Sequence, residues 1–389
     1  MLWPVQRGGR GRGAAPARSR HATAIPMSDP SASGRASGTP PVGCPRRPRS
    51  GRRPLTAVMA LAATVVLASC SHTKLRQDAL DPQGPVARKL HHLITPVFGA
   101  AAFVFVLVEA LIVVAVIRFR ARSDEDRPRQ VHGNTRLETT WTILPALMLA
   151  VVGLFTVKTI FDVSRRPTGP GVVHVNVTGH RWWWEYDYPG LHVVTANELH
   201  IPVDQPIDIS LTSIDVIHNF WPPKLSGKIY AIPNRINHMT IQADHPGTYY
   251  GQCAEFCGLS HANMRLRVVA HARGDFERWV AANTTNGTTF VTPDPEANPD
   301  AAAGATLFRQ KGCSGCHSVE GYSAGTLGPD LTHLRQRSVF AGSILDMNDN
   351  NLRRWLRDPP AEKPGADMPN LNLSEDEITK LVAFLDTLQ

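Results

Sequence analysis

Two long apolar runs limit what this chain can fold into more than any other feature. Pro96–Ile117 is 22 residues with Glu109 as its sole charged residue, and Thr139–Val163 is similar, with Lys158 near its end. As a helix the first run spans roughly 33 Å at about 1.5 Å per residue, enough for a hydrocarbon core of about 30 Å. Each is therefore read as a membrane helix, about 96–117 and about 139–163, and the pair as a hairpin covering 90–165. Lys158 can snorkel to the interface, and Glu109 is read as a helix–helix contact, since intramembrane carboxylates are functional candidates. Between the runs lie Arg118, Arg120, Arg122, Arg127, Arg129 and Arg136. Positive loops stay in the cytoplasm, which places everything after residue 163 on the outer side.

The beginning of the chain demands the same orientation. Residues 1–53 hold eleven arginines and one acid, Asp29, a charge of +10 against +8 for the whole chain, so the remainder carries about −2. Nucleic-acid binding thus has no electrostatic footprint in the folded part. The Arg/Pro/Gly-rich leader cannot bury a core and is expected to be disordered. Residues 46–53, the apolar run Leu55–Ser69 and Cys70 together describe a secretory signal within 1–70. Leu67-Ala68-Ser69-Cys70 resembles a bacterial lipobox, with Cys70 the lipidated residue; a plain signal or an uncleaved anchor is the alternative. Met27 is an alternative start.

After Pro167 the period changes to two. Val173, Val175 and Val177 alternate, as do Ile207, Ile209 and Leu211, and then Met264, Leu266 and Val268 with Arg265 and Arg267 opposite. Turn signals punctuate these runs, so 167–275 reads as a small all-β barrel or sandwich in which a strand 207–217 leads to His218. Residues 282–300 are Thr-, Asn-, Pro- and Asp-rich, a linker. From 301 to 389 helices return, the last announced by Ser374 and Glu377 as a capping box.

Four of the six cysteines fall in two close pairs. Cys253-Ala-Glu-Phe-Cys257-Gly-Leu-Ser-His261-Ala-Asn-Met264 packs two thiols, an imidazole and a thioether into twelve residues, with His218 lying 35 residues upstream of Cys253. Thiolate, thioether and imidazole together suit copper. Two cysteines and two histidines could instead hold zinc, but that leaves Met264 without purpose. A Cys253–Cys257 disulfide suits an oxidising compartment, but leaves His218, His261 and Met264 unexplained. The second pair, Cys313-Ser-Gly-Cys316-His317, is the haem-attachment motif; a redox dithiol or half a zinc site would not need the histidine. Its sixth ligand is expected to be a methionine. Met368, in a loop just before the final helix, is favoured over Met347.

Across about 90–275 the chain resembles subunit II of cytochrome c oxidase. The resemblance rests on the copper segment, on Glu138-Thr-Thr-Trp-Thr-Ile-Leu-Pro145, on Gly179-His-Arg-Trp-Trp-Trp-Glu-Tyr186, and on the stretches Ala231–Arg235 and Tyr249–Cys253. It implies a cupredoxin-like barrel whose Cys253 and Cys257 bridge two copper ions, the CuA centre. One copper would take His261 and the Glu255 carbonyl, the other His218 and Met264. By the same resemblance Trp182 is where electrons enter, Glu138 stands near a proton-channel entrance, Asp215 helps dock cytochrome c, and the Glu255 carboxylate helps hold magnesium against subunit I. The block 301–389 resembles a small class I cytochrome c, all-α, with Gly304–Phe308 opening a helix and Gly328-Pro329-Asp330-Leu331 following the motif.

The fold expected is thus multidomain: a transmembrane hairpin, an all-β cupredoxin-like barrel and an all-α cytochrome c domain. The expected function is electron transfer at a bacterial cell membrane, with copper and haem outside. Electrons come from a donor such as cytochrome c or the bc complex, and the partners are oxidase subunits I and III. The second membrane helix has no histidine, so oxygen chemistry belongs to subunit I. Nineteen linker residues reach roughly 25 Å, so the tethered haem domain can approach Trp182 at raised effective concentration. A nitrous oxide reductase would need a histidine-rich propeller, and no repeats are visible. A quinol oxidase subunit II lacks the copper ligands present here. A copper chaperone or sensor has no use for Cys313–His317.

Overall fold

The computed structural model describes residues 75–121, 123, 130, 133–285 and 290–389. The basic leader, the signal run, Cys70 and Arg122, Arg127 and Arg129 of the loop lie outside the described residues.

Two long helices, α1 (Pro85–Arg118) and α2 (Thr135–Ser164), carry the apolar runs, and their large side chains, Phe103, Leu111, Leu147 and Leu154 among them, stay exposed along both. Helices with an apolar surface all round belong in lipid or against partner helices. Glu109 is exposed on α1. α1 begins at Pro85, well ahead of the apolar run. Its first turns hold Arg88, Lys89, His91 and His92 and rest on the β-domain: Ala87 is buried, its amide donates to the Leu225 carbonyl, and Arg88 pairs with Asp244. The outer end of α2 is fastened as well. Arg166 donates to both oxygens of buried Asp208, at 3.2 and 2.5 Å, and His174 Nδ1 lies 3.0 Å from the same carboxylate. Asp208 is therefore held below the usual carboxylate range: burial would raise it, but the Arg166 and His174 bonds outweigh burial.

The β-domain is a sandwich of two five-stranded sheets. β1 (Val173–His180), β2 (Trp183–Tyr188), β3 (Val193–Ala196), β5 (Ile207–Ser213) and β8 (Asn237–Ile241) form one, in the order β3-β2-β1-β5-β8. β4 (Glu198–Pro202), β6 (His218–Trp221), β7 (Ile229–Ala231), β9 (Gly247–Cys253) and β10 (Arg265–His271) form the other, in the order β4-β10-β9-β6-β7. Alternation fills the space between: Val175 and Val177, Trp184, Tyr186 and Tyr188, Ile207, Ile209 and Leu211, and Leu266 and Val268 point inward and are buried. At roughly 1.5–3 kcal/mol for each large apolar side chain removed from water, that face holds the sheets together. One expectation is corrected. No strand runs from 207 to 217: β5 ends at Ser213, and the chain crosses through 214–217 to the other sheet, where His218 opens β6. Ile214 and Ile217 are exposed in this crossing, so their apolar character was not a strand signal.

Past a helix at Arg273–Asn283 (α3), Phe290 is already packed against Tyr322 and Phe384, so the second half of the linker belongs to the next domain. That domain has α4 (Pro299–Gln310), α5 (Asp349–Arg357), a short α6 (Pro359–Glu362) and α7 (Glu375–Leu385), with hairpins β11–β12 (Ser318–Val319, Ser323–Ala324) and β13–β14 (Val339–Phe340, Leu345–Asp346). α4 crosses α7 at Gly304, where an added Cβ would stand 2.0 Å from the Lys380 carbonyl oxygen. The Ser374/Glu377 capping box starts α7. The helical domain is seated on the sandwich. Ser338 donates through its amide at 2.7 Å, and through its hydroxyl, to the buried Glu198 carboxylate, and Arg337 Nε donates to Thr195 Oγ1 at 3.2 Å.

Candidate functional site

The cluster of thiols, imidazoles and a thioether sits at one end of the sandwich, where strand parity places it. β9 buries Tyr249, Gly251 and Cys253 on its inward face. Its neighbour β6 pairs Phe220 with Cys253, and His218, two residues earlier, shares the inward face of Phe220. His218 Nδ1 comes 4.0 Å from Cys253 Sγ. The remaining donors come from the loop 254–264, closed by the Cys253 amide donating to the Met264 carbonyl at 2.9 Å. Cys257 Sγ lies 3.8 Å from Cys253 Sγ, 3.6 Å from His261 Nδ1 and 3.9 Å from Met264 Sδ, and the Glu255 carbonyl oxygen lies 3.2 Å from Cys253 Sγ. The ligand atoms of His218, Cys253 and Cys257 all fall within 4.8 Å of one another. Both thiols are free and far beyond the roughly 2.05 Å of a disulfide.

The electrostatics suit a cation. Cys257 donates to Cys253, which holds the Cys253 thiol down at about 4 and pushes Cys257 up: the pair readily gives up one proton, and the thiolate resists loss of the second. Sequence reasoning missed what orients His218. Asp215 Oδ1 lies 2.8 Å from His218 Nε2, which turns Nδ1 to the thiols. Burial would raise Asp215, but His218 and the Val216 and Arg181 amides hold it at about 2. The D-x-x-H spacing was the available signal. A carboxylate behind a ligating imidazole fixes the tautomer and makes it a better ligand.

Trp182 lies under the cluster, 6% exposed, its indole N–H donating to the Cys257 carbonyl at 3.0 Å. Glu138 stands apart, at the start of α2, where its carboxylate accepts from the Asn134 amide at 3.1 Å and helps cap the helix. Glu255 is half-buried, and among the described residues no acidic or histidine cluster forms around its carboxylate.

In the helical domain, Gly312 turns the chain out of α4 in a left-handed conformation, and a single 3-10 turn carries Cys313 and Cys316. His317 follows, its amide donating to the Cys313 carbonyl at 2.9 Å. Its Nδ1 lies 2.8 Å from the Pro329 carbonyl, so that nitrogen carries the proton and Nε2 keeps its lone pair. Burial lowers the His317 pKa, which keeps the ring neutral. Met368 comes from the loop between α6 and α7, its sulfur accepting from Trp355 Nε1 at 3.1 Å. Met347 follows β14, its amide donating to the Ser338 carbonyl at 2.8 Å.

A membrane-anchored β-sandwich with a thiolate, imidazole and thioether cluster at its tip, continued by a helical domain with a C-x-x-C-H turn, defines a class of electron-transfer protein. Residues 73–159 match the model of the cytochrome c oxidase subunit II transmembrane domain, 191–271 that of its periplasmic domain, and 301–389 that of cytochrome c. Among curated relatives, cytochrome c oxidase subunit 2 of Alkalihalophilus pseudofirmus is 36% identical over 317 residues, 80% of this chain and 90% of the relative. That of Bacillus subtilis is 31% identical over 348 residues, 84% of this chain and 95% of the relative. Quinol oxidase subunit 2 of Bacillus subtilis is 34% identical over 236 residues, 59% of this chain and 72% of the relative. The chain belongs to the cytochrome c oxidase subunit II family, with a cytochrome c domain at its C-terminal end.

Proposed function

We propose that the chain is the electron-receiving subunit of a respiratory cytochrome c oxidase. It accepts electrons outside a bacterial cell membrane, from a donor such as cytochrome c or the bc complex, and delivers them to the oxygen-reducing centre of subunit I, coupled to proton translocation. The observation that carries this reading is the convergence of Cys253, Cys257, His218, His261 and Met264 around one buried point, with the thiols unlinked. That donor set fits a CuA pair, with the Glu255 carbonyl beside it, and His317 with its Nδ1 anchored fits haem c. When bound, the copper pair and the haem supply reversible one-electron storage.

The chain's own residues supply the rest. Cys253, Cys257, His218, His261, Met264 and the Glu255 carbonyl would hold the copper pair, and the sandwich would keep these ligands in place on a change of charge. Cys313 and Cys316 would hold the haem covalently, with His317 and Met368 as its iron ligands. Trp182, bonded to the Cys257 carbonyl, reaches the cluster's backbone without crossing solvent. Glu138 at the cytoplasmic end of α2 is assigned to the proton-channel entrance, and the Glu255 carboxylate to magnesium shared with subunit I, which would supply the remaining ligands. Subunit III is a further partner. The copper ligands disfavour a quinol oxidase, and the haem-attachment turn disfavours a chaperone, a sensor or a nitrous oxide reductase. Metal and haem analysis of the purified chain tests the reading: two coppers and one covalent haem are expected, and one zinc or no haem would overturn it.

A further inference from the structure

Lys363 carries its amine in a place where charge is costly. It is 3% exposed, at the head of the loop that carries Met368, and its partners are two carbonyl oxygens: that of Trp182 at 2.5 Å and that of Ala341 at 3.0 Å. Burying an amine that can carry charge is unfavourable unless polar partners replace its water, so its position calls for a reason beyond solubility. The partners supply one. The Ala341 carbonyl is in the helical domain, whereas the Trp182 carbonyl belongs to the sandwich, at the residue whose indole bonds to Cys257. One amino group thus ties the Met368 loop and the β13–β14 turn to Trp182.

The surrounding surface is shaped to the same seat. The Ser260 hydroxyl, from the copper loop, donates to the Pro364 carbonyl at 2.5 Å, and the Arg265 amide to the Gly342 carbonyl at 3.1 Å. Gly342 has φ +78°, and an added Cβ would stand 2.5 Å from the Asn263 oxygen, 2.5 Å from Lys363 Nζ and 2.8 Å from the Trp182 oxygen. Gly365 lies against Trp182 itself: its added Cβ would be 3.0 Å from the indole edge. The indole is therefore roofed by the chain's own helical domain.

We propose that Lys363 is a positioning residue that locks the cytochrome c domain in one seat over Trp182, setting the path between the two redox centres and closing Trp182 to soluble donors. A donor must then deliver electrons to the cytochrome c domain rather than to the copper end of the sandwich. The inference rests on the electron-transfer reading above, but its structural half can be tested without it.

The test uses the full chain in detergent. Hydrogen exchange is followed at 258–264 and 341–343, and the rate of electron transfer between the centres is followed after flash reduction of the haem. Lys363→Met is expected to raise exchange in both segments and slow transfer by about tenfold or more, since small misplacements of reacting groups carry penalties of that order. The absorption spectrum and potential of each centre should stay as in the unaltered chain, which a general loss of fold would not allow. Lys363→Gln, which keeps a donor, should restore part of both. Gly342→Val forces the same seat apart from the other side and is expected to have the same effects. Wild-type exchange and wild-type transfer in both Lys363→Met and Gly342→Val would overturn the proposal. If the unaltered chain took up neither metal nor haem, the proposed function would fall, and exchange alone would still decide the seat.

Discussion

At the scale of single residues, the site depends on side chains that aim ligands as well as on the ligands. Asp215 holds His218 by Nε2, so Asp215→Asn should leave the fold intact and weaken copper binding by about 10–100-fold, read by competition with a chelator of known affinity; unchanged affinity would remove Asp215 from the site. In the helical domain, Met368→Ala should abolish the low-spin His/Met spectrum while Met347→Ala preserves it, and the reverse would exchange their roles. The candidate ligands were legible in the sequence because thiols, imidazoles and thioethers are rare and their spacing is tight. Asp215 was read only through the family resemblance, as a docking residue; the D-x-x-H spacing hinted at its bond to His218, but that bond depends on the turn at 214–217. Lys363 carried no signal: its partner Trp182 is 181 positions away, and nothing local in Lys-Pro-Gly-Ala-Asp-Met marks a buried lysine.

Among the elements, periodicity was informative wherever one face is buried. It failed where burial comes from another domain. The first turns of α1 are polar and lie outside the apolar window, yet they are helical because Ala87 and Arg88 rest on the sandwich. The run 207–217 looked like one strand because Ile214 and Ile217 continue its apolar character, whereas both are exposed in a crossing between sheets. Two predictions belong here. Gly304→Val drives a side chain into the Lys380 backbone and should destabilise the helical domain by about 1–3 kcal/mol or more, seen as a lower melting temperature; an unchanged melt would mean that α4 and α7 do not cross there. Asp208 has its folded pKa depressed by Arg166 and His174, so its contribution is fully present above 3.8, its unfolded value, and is lost as pH falls through the lower folded value. Melting temperatures followed to acid pH should fall less steeply in Asp208→Asn than in the unaltered chain; parallel slopes would show that this clasp is not what titrates.

For the whole molecule, two domains that could have been joined loosely are seated together. A linker rich in Thr, Asn and Pro suggested a tether with a reach of roughly 25 Å, and composition could say no more. The structure adds Glu198 receiving two bonds from Ser338, Arg337 reaching Thr195, and Lys363 donating to the Trp182 carbonyl, all polar groups from distant parts of the chain. Both membrane helices are fastened to the sandwich at their outer ends, so the cluster is held at a set place relative to the membrane. The proposed function requires that cluster to bind two coppers that share an unpaired electron. Electron spin resonance on the copper-loaded chain, with the copper count on the same sample, is the most direct measurement. Two coppers per chain and a signal delocalised over both are predicted; one copper with a single-ion signal, or no copper uptake by chain with intact thiols, would contradict it.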